Sequence, residues 1–445
     1  MRISVIGGGI SGLAAAWELS ADPSVQITVH EAAARLGGKI HTSPFAGRMV
    51  DEGADAFLRR VPEAVALCGE IGLEELISPS QGSAMVWVDG ELKRLPGGLV
   101  LGVPVHFDDL EASGILTHWG IARARHEPEL EGEPLVGDSS IGAVITRRYG
   151  QEVTDRLVGP LLGGIAAGSV DTMSIDAMAP QLAAAAHRSR SLAQALADTP
   201  PSFQPGGVPD PVFAAPAHGM GSLIARLETQ LRERGVLFVT GQPVTSLPAG
   251  DGTVLTTPAP VTASLVAPRS PGAAELLSSI RFASVVFTAL AFRRDDVPGA
   301  LDASGFLVPR TAGLTITAAS WSSTKWERLE GDPVILRVSI GHDRDPDSIE
   351  LSDDEVLGRI TADLGTVMGI TASPVDHRIT RYRDGFPQYD VGHLERTDRL
   401  EALLAHDAPD LAVCGMAHRG VGIPACIREA RRAAASLRTR LTTTD

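Results

Sequence analysis

The 445-residue sequence contains no apolar run long enough to cross a membrane as a helix. A spanning helix needs about 18 to 20 consecutive apolar residues. The most lipid-like piece, GPLLGGIAAGSV at 159–170, is shorter, and we interpret it as a buried helix. The first residues enter a strand pattern directly, without the basic and apolar regions of a signal peptide, so we expect none.

Cysteine is scarce, and the 54 acidic residues outnumber the 39 basic ones. The cysteines Cys68, Cys414 and Cys426 show neither C-x-x-C nor metal-ligand spacing. We therefore predict no metal site and expect the reduced, mostly buried thiols of a cytoplasmic protein. The formal net charge of −15 argues against nucleic acid as a partner and against broad adhesion to anionic lipid. Membrane contact is expected to be peripheral at most.

A glycine-rich turn follows the first apolar run, in MRISVIGGGISGLAAAWELS. The run Ile3–Ile6 has almost no polar alternation, which predicts a buried parallel strand. Gly7, Gly9 and Gly12 have the G-x-G-x-x-G spacing, and 13–19 continues as a helix. In such a turn one glycine makes the bend, one lets a pyrophosphate approach, and one lets the helix pack closely. The free N–H groups at the helix N-terminus favour phosphate.

An acidic residue closes this unit. The second strand pattern, VQITVHEAA, ends at Glu31, roughly twenty residues past the glycines, where a carboxylate accepts ribose hydroxyls. A solvated strand end is the alternative for Glu31. Strand, turn, helix, strand and acid occur in order, which favours the dinucleotide interpretation.

Two further segments resemble the flavin amine oxidase superfamily. AAARLGGKIHT carries an R-x-G-G-K element, and VDEGADAFL stands where that superfamily passes its backbone along the isoalloxazine ring. The resemblance implies FAD as the cofactor and assigns contacts to the glycine turn, both segments, a later loop and the C-terminal turn. These residues are Gly7, Gly8, Gly9, Ile10, Ser11, Gly12, Glu31, Ala32, Arg35, Gly37, Gly38, Lys39, Gly53, Ala54, Asp55, Ala56, Val244, Tyr382, Val421, Gly422 and Ile423.

Longer matches, in family order, cover the chain from Met1 to about Leu437. RRYGQEVTDRLVGPLLGGIAAGSVDTMS, GFLVPRTAGLTITAASWSSTKWE, YRDGFPQYDVGH and HRGVGIPACIREARRAA resemble elements of the bacterial oxygen-dependent porphyrinogen oxidases. The resemblance implies hydride transfer from a tetrapyrrole methylene bridge to FAD, loss of a pyrrole proton, and reoxidation by O₂ with release of H₂O₂. No strong general base stands out, so no catalytic side chain is assigned.

Departures from the family pattern indicate the substrate. Ala84 stands where relatives acting on protoporphyrinogen IX place an arginine against a propionate, and Tyr382 stands where many relatives have tryptophan. Relatives without that arginine act in the coproporphyrin branch of haem synthesis, on a substrate with four propionates. The resemblance therefore favours coproporphyrinogen III, with protoporphyrinogen IX as the alternative. Arg59, Arg60 and His393 are the candidate substrate-binding residues.

The sequence is also compatible with two other functions. An FAD amine oxidase or a carotenoid desaturase shares the nucleotide fold but not the LLGGIAAG and GFLVPR elements. A non-enzymatic protein carrying FAD and porphyrin could deliver product to the next haem-synthesis enzyme, and an oxidase could make the same handover. Flavin that bleaches anaerobically with a porphyrinogen would indicate the oxidase.

The expected fold is α/β with α+β insertions, centred on a Rossmann-like FAD-binding domain made of discontinuous segments. ASVVFTALAF, GLTITAASW and DPVILRVSI predict an antiparallel sheet, which the hairpin in AMVWVDGELKRLP joins through its Asp89-Gly90 turn. TPPSFQPGGVPDP marks a boundary. The predicted domains are 1–78, 206–279 and 382–445 for FAD binding, 79–102 and 280–381 for a substrate-binding sheet, and 103–205 for a mainly helical insertion.

Overall fold

The structure is a computed structural model that describes residues 1–197 and 211–443. Its strands, in chain order, are β1 (Arg2–Ile6), β2 (Gln26–His30), β3 (Thr42–Phe45), β4 (Arg48–Asp51), β5 (Phe57–Leu58), β6 (Leu76–Ile77), β7 (Met85–Val88), β8 (Glu91–Arg94), β9 (Leu99–Val100), β10 (Val103–Pro104), β11 (Phe213–Pro216), β12 (Leu237–Val239), β13 (Gly252–Leu255), β14 (Phe282–Phe292), β15 (Gly305–Leu307), β16 (Ile316–Ser320), β17 (Val334–Ile340), β18 (Asp376–Pro387) and β19 (Leu411–Val413).

Helices connect and cover these strands. They are α1 (Ile10–Leu19), α2 (Pro62–Glu70), α3 (Phe107–Ala112), α4 (His118–Arg125), α5 (Ile141–Tyr149), α6 (Gln151–Val153), α7 (Gly159–Ala166), α8 (Ile175–Met178), α9 (Pro180–Arg188), α10 (Leu192–Ala197), α11 (Gly221–Glu233), α12 (Ala259–Val266), α13 (Pro271–Ser278), α14 (Ser322–Lys325), α15 (Asp353–Met368), α16 (His393–Asp407) and α17 (Ile423–Thr443). A π-helical turn at Thr154–Val158 joins α6 to α7.

A five-stranded parallel sheet with the order β12-β2-β1-β13-β19 forms the nucleotide-binding centre. The predicted strand, helix and strand around the glycine turn are confirmed as β1, α1 and β2. Strand β13 was not predicted, because four residues of GTVL are too short to show a periodicity. It lies between β1 and β19, and so brings the N-terminal and C-terminal segments into one sheet.

A seven-stranded sheet with the order β18-β14-β17-β16-β15-β7-β8 forms the second layer, antiparallel except for the β15–β7 pair. The predicted hairpin is β7–β8, and both turn residues, Asp89 (φ 54°) and Gly90 (φ 82°), are left-handed as a type I′ turn requires. The boundary predicted at 381/382 is corrected, because β18 stays paired with β14 from Asp376 to Pro387. This sheet therefore ends after Pro387.

The insertion beyond 103 is helical in its described part, from α3 to α10, around its own apolar core. The boundary predicted at 102/103 falls inside the β9–β10 pair, where Val103 faces Val100, and the boundary at 205/206 lies outside the described residues. Helix α7 was predicted to be buried, yet only one side of it is, since Ile165 is 48% exposed. No helix in 1–197 or 211–443 is long and apolar enough to span a membrane.

Candidate functional site

The turn between β1 and α1 shows a separate use for each glycine. Gly7 has φ 109°, and a Cβ on Gly12 would lie 1.8 Å from the Gly7 carbonyl oxygen, so neither position accepts a side chain. A Cβ on Gly9 would meet nothing within 4 Å, and Gly9 begins α1 without a side-chain cap. The backbone at Gly9 therefore faces open space beside uncapped N–H groups, which is the approach that a pyrophosphate needs.

Thr256 supports this turn, and sequence reasoning missed it. Its Oγ1 lies 3.0 Å from the Ile6 carbonyl oxygen and 3.1 Å from that of Gly7, to which it donates. A Cβ on Gly7 would be only 2.5 Å from the same hydroxyl. Thr256 directly follows β13. That strand is too short to be predicted from the sequence, so nothing in the sequence pointed to Thr256.

Glu31 lies beside the glycine turn at the end of β2. The Gly8 N–H donates to Oε2 at 2.6 Å, and the Ala33 N–H donates to Oε1 at 2.8 Å. These two bonds orient the carboxylate next to the turn, where its remaining lone pairs can accept ribose hydroxyls. Ala32 is exposed beside it, and Val244 is partly buried in the loop after β12.

The loop carrying Arg35 and Lys39 packs directly on the glycine turn. The Gly37 N–H donates to the Gly8 carbonyl oxygen at 2.8 Å, and a Cβ on Gly38 would lie 3.4 Å from the Gly9 Cα. The Arg35 guanidinium donates to carbonyl oxygens of its own loop. The two segments predicted to bind one dinucleotide are therefore in contact.

Lys39 connects this loop to the turn before α17. Its Nζ lies 3.4 Å from the Met416 Sδ, and burial lowers its pKa. Within the described chain, no carboxylate lies within ion-pair distance of this ammonium group. A partly buried cation that faces a sulfur atom is suited to the electron-rich edge of a bound ring.

The segment 53–56 passes directly under Lys39. A Cβ on Gly53 would lie 2.1 Å from the Lys39 carbonyl oxygen and 2.9 Å from the Tyr382 Oη. Tyr382, on β18, packs edge-to-face on Phe287 of β14 with 5.8 Å between ring centroids, and burial raises its pKa. Ala54 is exposed and Ala56 is half-buried. The fold thus brings Lys39, Gly53 and Tyr382 together, and their contact with FAD stays a prediction.

Asp55 ties this segment to the antiparallel sheet. Its Oδ2 accepts from Lys325 Nζ at 2.8 Å and from Trp326 Nε1 at 3.1 Å, and Arg337 Nη1 lies 3.3 Å away. Burial acts to raise the pKa of Asp55, but the two cations outweigh it and hold that pKa well below its ordinary value. Arg337 also donates to the Gly53 carbonyl oxygen.

The C-terminal turn brings a second helix N-terminus to the glycine turn. Helix α17 begins at Ile423, and Val421 and Gly422 precede it on a partly exposed loop. The Ser11 side chain hydrogen-bonds the Cys426 thiol, so the first turns of α1 and α17 are adjacent. Two helix N-termini facing one groove favour an anionic group there.

The substrate contact predicted for His393 is wrong. The side chain is fully buried, its Nε2–H donates to the His418 carbonyl oxygen at 2.7 Å, and its ring stacks on Tyr389 at 3.8 Å. Burial lowers the pKa of His393 to about 4. It supports the C-terminal turn instead. Arg59 and Arg60 are both exposed, and their contact with substrate stays a prediction.

A cleft lies between α7 and one face of the antiparallel sheet. Gly163 and Gly164 of α7 form one wall, and Phe287 on the sheet forms part of the other. Because Phe287 also contacts Tyr382, the cleft adjoins the Lys39–Gly53–Tyr382 group. Arg310 and His342 are its titratable lining residues, and sequence reasoning assigned neither.

Comparisons with known proteins agree with this arrangement. The family described as flavin containing amine oxidoreductase matches residues 10–438. Coproporphyrinogen III oxidase of Mycobacterium tuberculosis (strain ATCC 25618 / H37Rv) is 35% identical, covering 97% of this chain and 96% of that protein. The enzyme of that name from Bacillus subtilis (strain 168) is 30% identical, with 97% of each chain covered. Human protoporphyrinogen oxidase is 26% identical, with 98% of each covered.

Solved structures share the fold over the whole chain. A crystal structure from Exiguobacterium sp. 255-15, whose description proposes a protoporphyrinogen oxidase, has a TM-score of 0.87 and 29% identity, with 98% of each chain covered. Reduced UDP-galactopyranose mutase has a TM-score of 0.72 at 13% identity, covering 98% of this chain and 94% of that one. The second likeness concerns the fold alone.

Proposed function

This chain belongs to the family of flavin containing amine oxidoreductases, and on that premise we propose that it oxidises coproporphyrinogen III to coproporphyrin III with FAD and O₂. Relatives of that name reach 35% identity over nearly their full length, compared with 26% for human protoporphyrinogen oxidase. The observation that carries the proposal is the cleft, which contacts the flavin-facing residues through Phe287 and Tyr382.

The residues present fit FAD. The open backbone at Gly9 and the N-termini of α1 and α17 accept the pyrophosphate, the Glu31 carboxylate accepts the ribose, and Lys39 and the 53–56 segment border the ring. When bound, FAD would supply the acceptor for the hydride that leaves a methylene carbon of the substrate. Each two-electron oxidation releases one pyrrole proton and consumes one O₂, giving one H₂O₂.

The lining of the cleft distinguishes porphyrinogens from amines. Its titratable lining residues within the described chain are Arg310 and His342, and no carboxylate lines it. A cationic amine would find no counter-ion there and would be repelled by Arg310. A largely apolar macrocycle that carries carboxylates meets apolar walls, small glycines and one guanidinium. The cleft therefore favours an anionic porphyrinogen over an amine substrate.

The chain's own contribution to the reaction is positioning and exclusion of water. Gly163 and Gly164 present no side chain beyond the backbone, so the macrocycle can lie close to α7 while Val285 and Phe287 cover its other side. Holding the reacting carbon at about 3–3.5 Å from its acceptor supplies much of the rate of such reactions.

Anaerobic titration of the purified holoprotein with each porphyrinogen tests the proposal. We expect coproporphyrinogen III to bleach the flavin absorbance, and readmitted O₂ to restore it with H₂O₂ formation. Steady-state kcat/KM should be higher for coproporphyrinogen III than for protoporphyrinogen IX; the reverse order would favour protoporphyrinogen IX as the substrate. Flavin that stays oxidised with both would favour the carrier, and peroxide formation driven by amines would favour an amine oxidase.

Cellular context belongs to the same proposal. The acidic charge and the buried, unpaired cysteines support a cytoplasmic location. Handover of coproporphyrin III to the next haem-synthesis enzyme and peripheral contact with a membrane are predictions that binding assays with that enzyme and with vesicles would check.

A further inference from the structure

Arg310 occupies an unusual electrostatic position at the cleft. It begins a short 3₁₀ turn, Arg310–Ala312, three residues beyond the end of β15. One Nη donates to the Gly168 carbonyl oxygen at 2.7 Å, which leaves the other guanidinium N–H groups available toward the cleft. Within 1–197 and 211–443, no carboxylate lies within ion-pair distance of it.

Neighbouring arginines are satisfied differently. Arg281 pairs with both Asp343 and Asp390, and Arg337 pairs with Asp55. Arg310 has only long-range attraction from carboxylates, and desolvation lowers its pKa. Arg310 is also exposed to solvent, so a ligand entering the cleft can reach it. A guanidinium without a counter-ion attracts an anion that binds beside it.

We propose that Arg310 binds a propionate carboxylate of the substrate. The inference rests on the proposed function and adds to it a substrate-binding residue. A guanidinium offers two parallel N–H donors that match a carboxylate. The bond already made to Gly168, in the loop after α7, keeps the side chain at the cleft and fixes its orientation.

A purely structural role for Arg310 makes different predictions. If the guanidinium only held the α7 loop against the sheet, its removal would weaken binding of every porphyrin equally and lower thermal stability. Arg310→Gln keeps an amide donor for the Gly168 carbonyl oxygen but removes the charge and the paired donors. Arg310→Lys keeps the charge but loses the bidentate geometry. Arg359→Gln, on an exposed position of α15, matches the change in net charge.

The experiment compares the holoprotein and these three variants with coproporphyrinogen III, and measures equilibrium binding of coproporphyrin III and of its uncharged tetramethyl ester. For Arg310→Gln we expect KM for the acid and Kd for coproporphyrin III to rise by about tenfold or more, with kcat within about twofold. Kd for the ester should be unchanged. Arg310→Lys should show a smaller rise, about threefold, and Arg359→Gln none.

Equal loss of acid and ester binding in Arg310→Gln, or unchanged KM and Kd, would overturn the assignment. If Arg310→Gln does not give folded holoprotein, Arg310→Lys decides by the same comparison, and an unchanged KM refutes the contact. A wild-type protein that oxidises neither porphyrinogen would instead remove the proposed function. The two failures are therefore distinguishable.

Discussion

Replacing Asp55 by asparagine removes the carboxylate that pairs the 53–56 segment with Lys325 of α14 and Arg337 of β17. Lys325 Nζ at 2.8 Å and Arg337 Nη1 at 3.3 Å would lose their common partner. The amide occupies nearly the same volume, so packing should change little. The expected effect is therefore electrostatic, since two largely buried cations would be left facing each other without compensation.

Breaking one side of a buried ion pair costs about 3–5 kcal/mol. Unfolding entropy of about 2.1 cal/mol/K per residue, multiplied by the 445 residues, gives about 0.9 kcal/mol/K. If the holoprotein unfolds as one cooperative unit, each kcal/mol then lowers Tm by about 1 °C, and Asp55→Asn should lower Tm by about 3–5 °C. Retention of FAD should fall as well, because the 53–56 segment loses its anchor.

The sign of the pH dependence follows from the lowered pKa of Asp55. A carboxylate with a depressed folded pKa contributes stability above its unfolded pKa of about 3.9, and loses it as pH falls through the folded value. The Tm difference between wild type and Asp55→Asn should therefore be constant from about pH 5 to 8, and shrink only in stronger acid.

Differential scanning calorimetry of the holoprotein, with flavin release followed in parallel, measures both effects. Asp108→Asn is the matched control, because Asp108 pairs with Arg125 at 2.6 Å but is 93% exposed. That surface pair should contribute less than about 1 kcal/mol, and its Tm shift should be about 1 °C or less. Equal shifts for the two variants would refute the reasoning.

Three further outcomes are expected. Gly9→Ala should fold with an unchanged apoprotein Tm, since its Cβ meets open space, but should bind FAD at least about tenfold more weakly. Gly12→Ala should lose the folded state itself, because its Cβ would lie 1.8 Å from a carbonyl oxygen. Normal FAD affinity in Gly9→Ala would contradict the pyrophosphate site. Lys39→Met should make the flavin midpoint potential more negative, because the ammonium group that lies 3.4 Å from the Met416 Sδ would no longer stabilise the reduced ring. Spectroelectrochemical titration measures this potential, and an unchanged value would place the ring elsewhere. Burial lowers the pKa of His393 to about 4, so the side chain binds its proton more readily when unfolded. As pH falls from 6.5 to 4, His393 should therefore lower the free energy of unfolding by up to about 1.4 kcal/mol per pH unit. His393→Gln, measured by urea unfolding at several pH values, should remove that contribution; an equal pH dependence in the two proteins would argue against a buried neutral ring.

The glycine turn and Glu31 could be predicted because their geometry is local. Strand, turn and helix follow from a few consecutive residues, and the acid stands at a set distance from the glycines. The hairpin turn at Asp89 and Gly90 could also be predicted from adjacent residues, because its left-handed backbone favours these residue types.

A residue's place in a sequence motif does not show which way its side chain points in the fold. His393 lies inside the YDVGH element, and its pattern was compatible with a substrate contact. Only the packing of α16 shows that its ring turns inward onto Tyr389. Arg310 stands in the equally recognisable GFLVPR element, and its exposure at the cleft depends on how β15 sits relative to α7.

By itself the sequence determined the dinucleotide fingerprint, the alternation of the sheet strands and the resemblance that implied FAD, since short-range backbone preferences and hydrophobic periodicity act over a few residues. The tertiary structure alone decided that Thr256 supports Gly7 from 249 positions away and that Lys325 pairs with Asp55 across 270. Such contacts form only when chain closure places distant backbone side by side, and no local pattern encodes which residues will then meet. For the same physical reason, no single segment of the sequence predicts the cleft or the position of Arg310 in its lining.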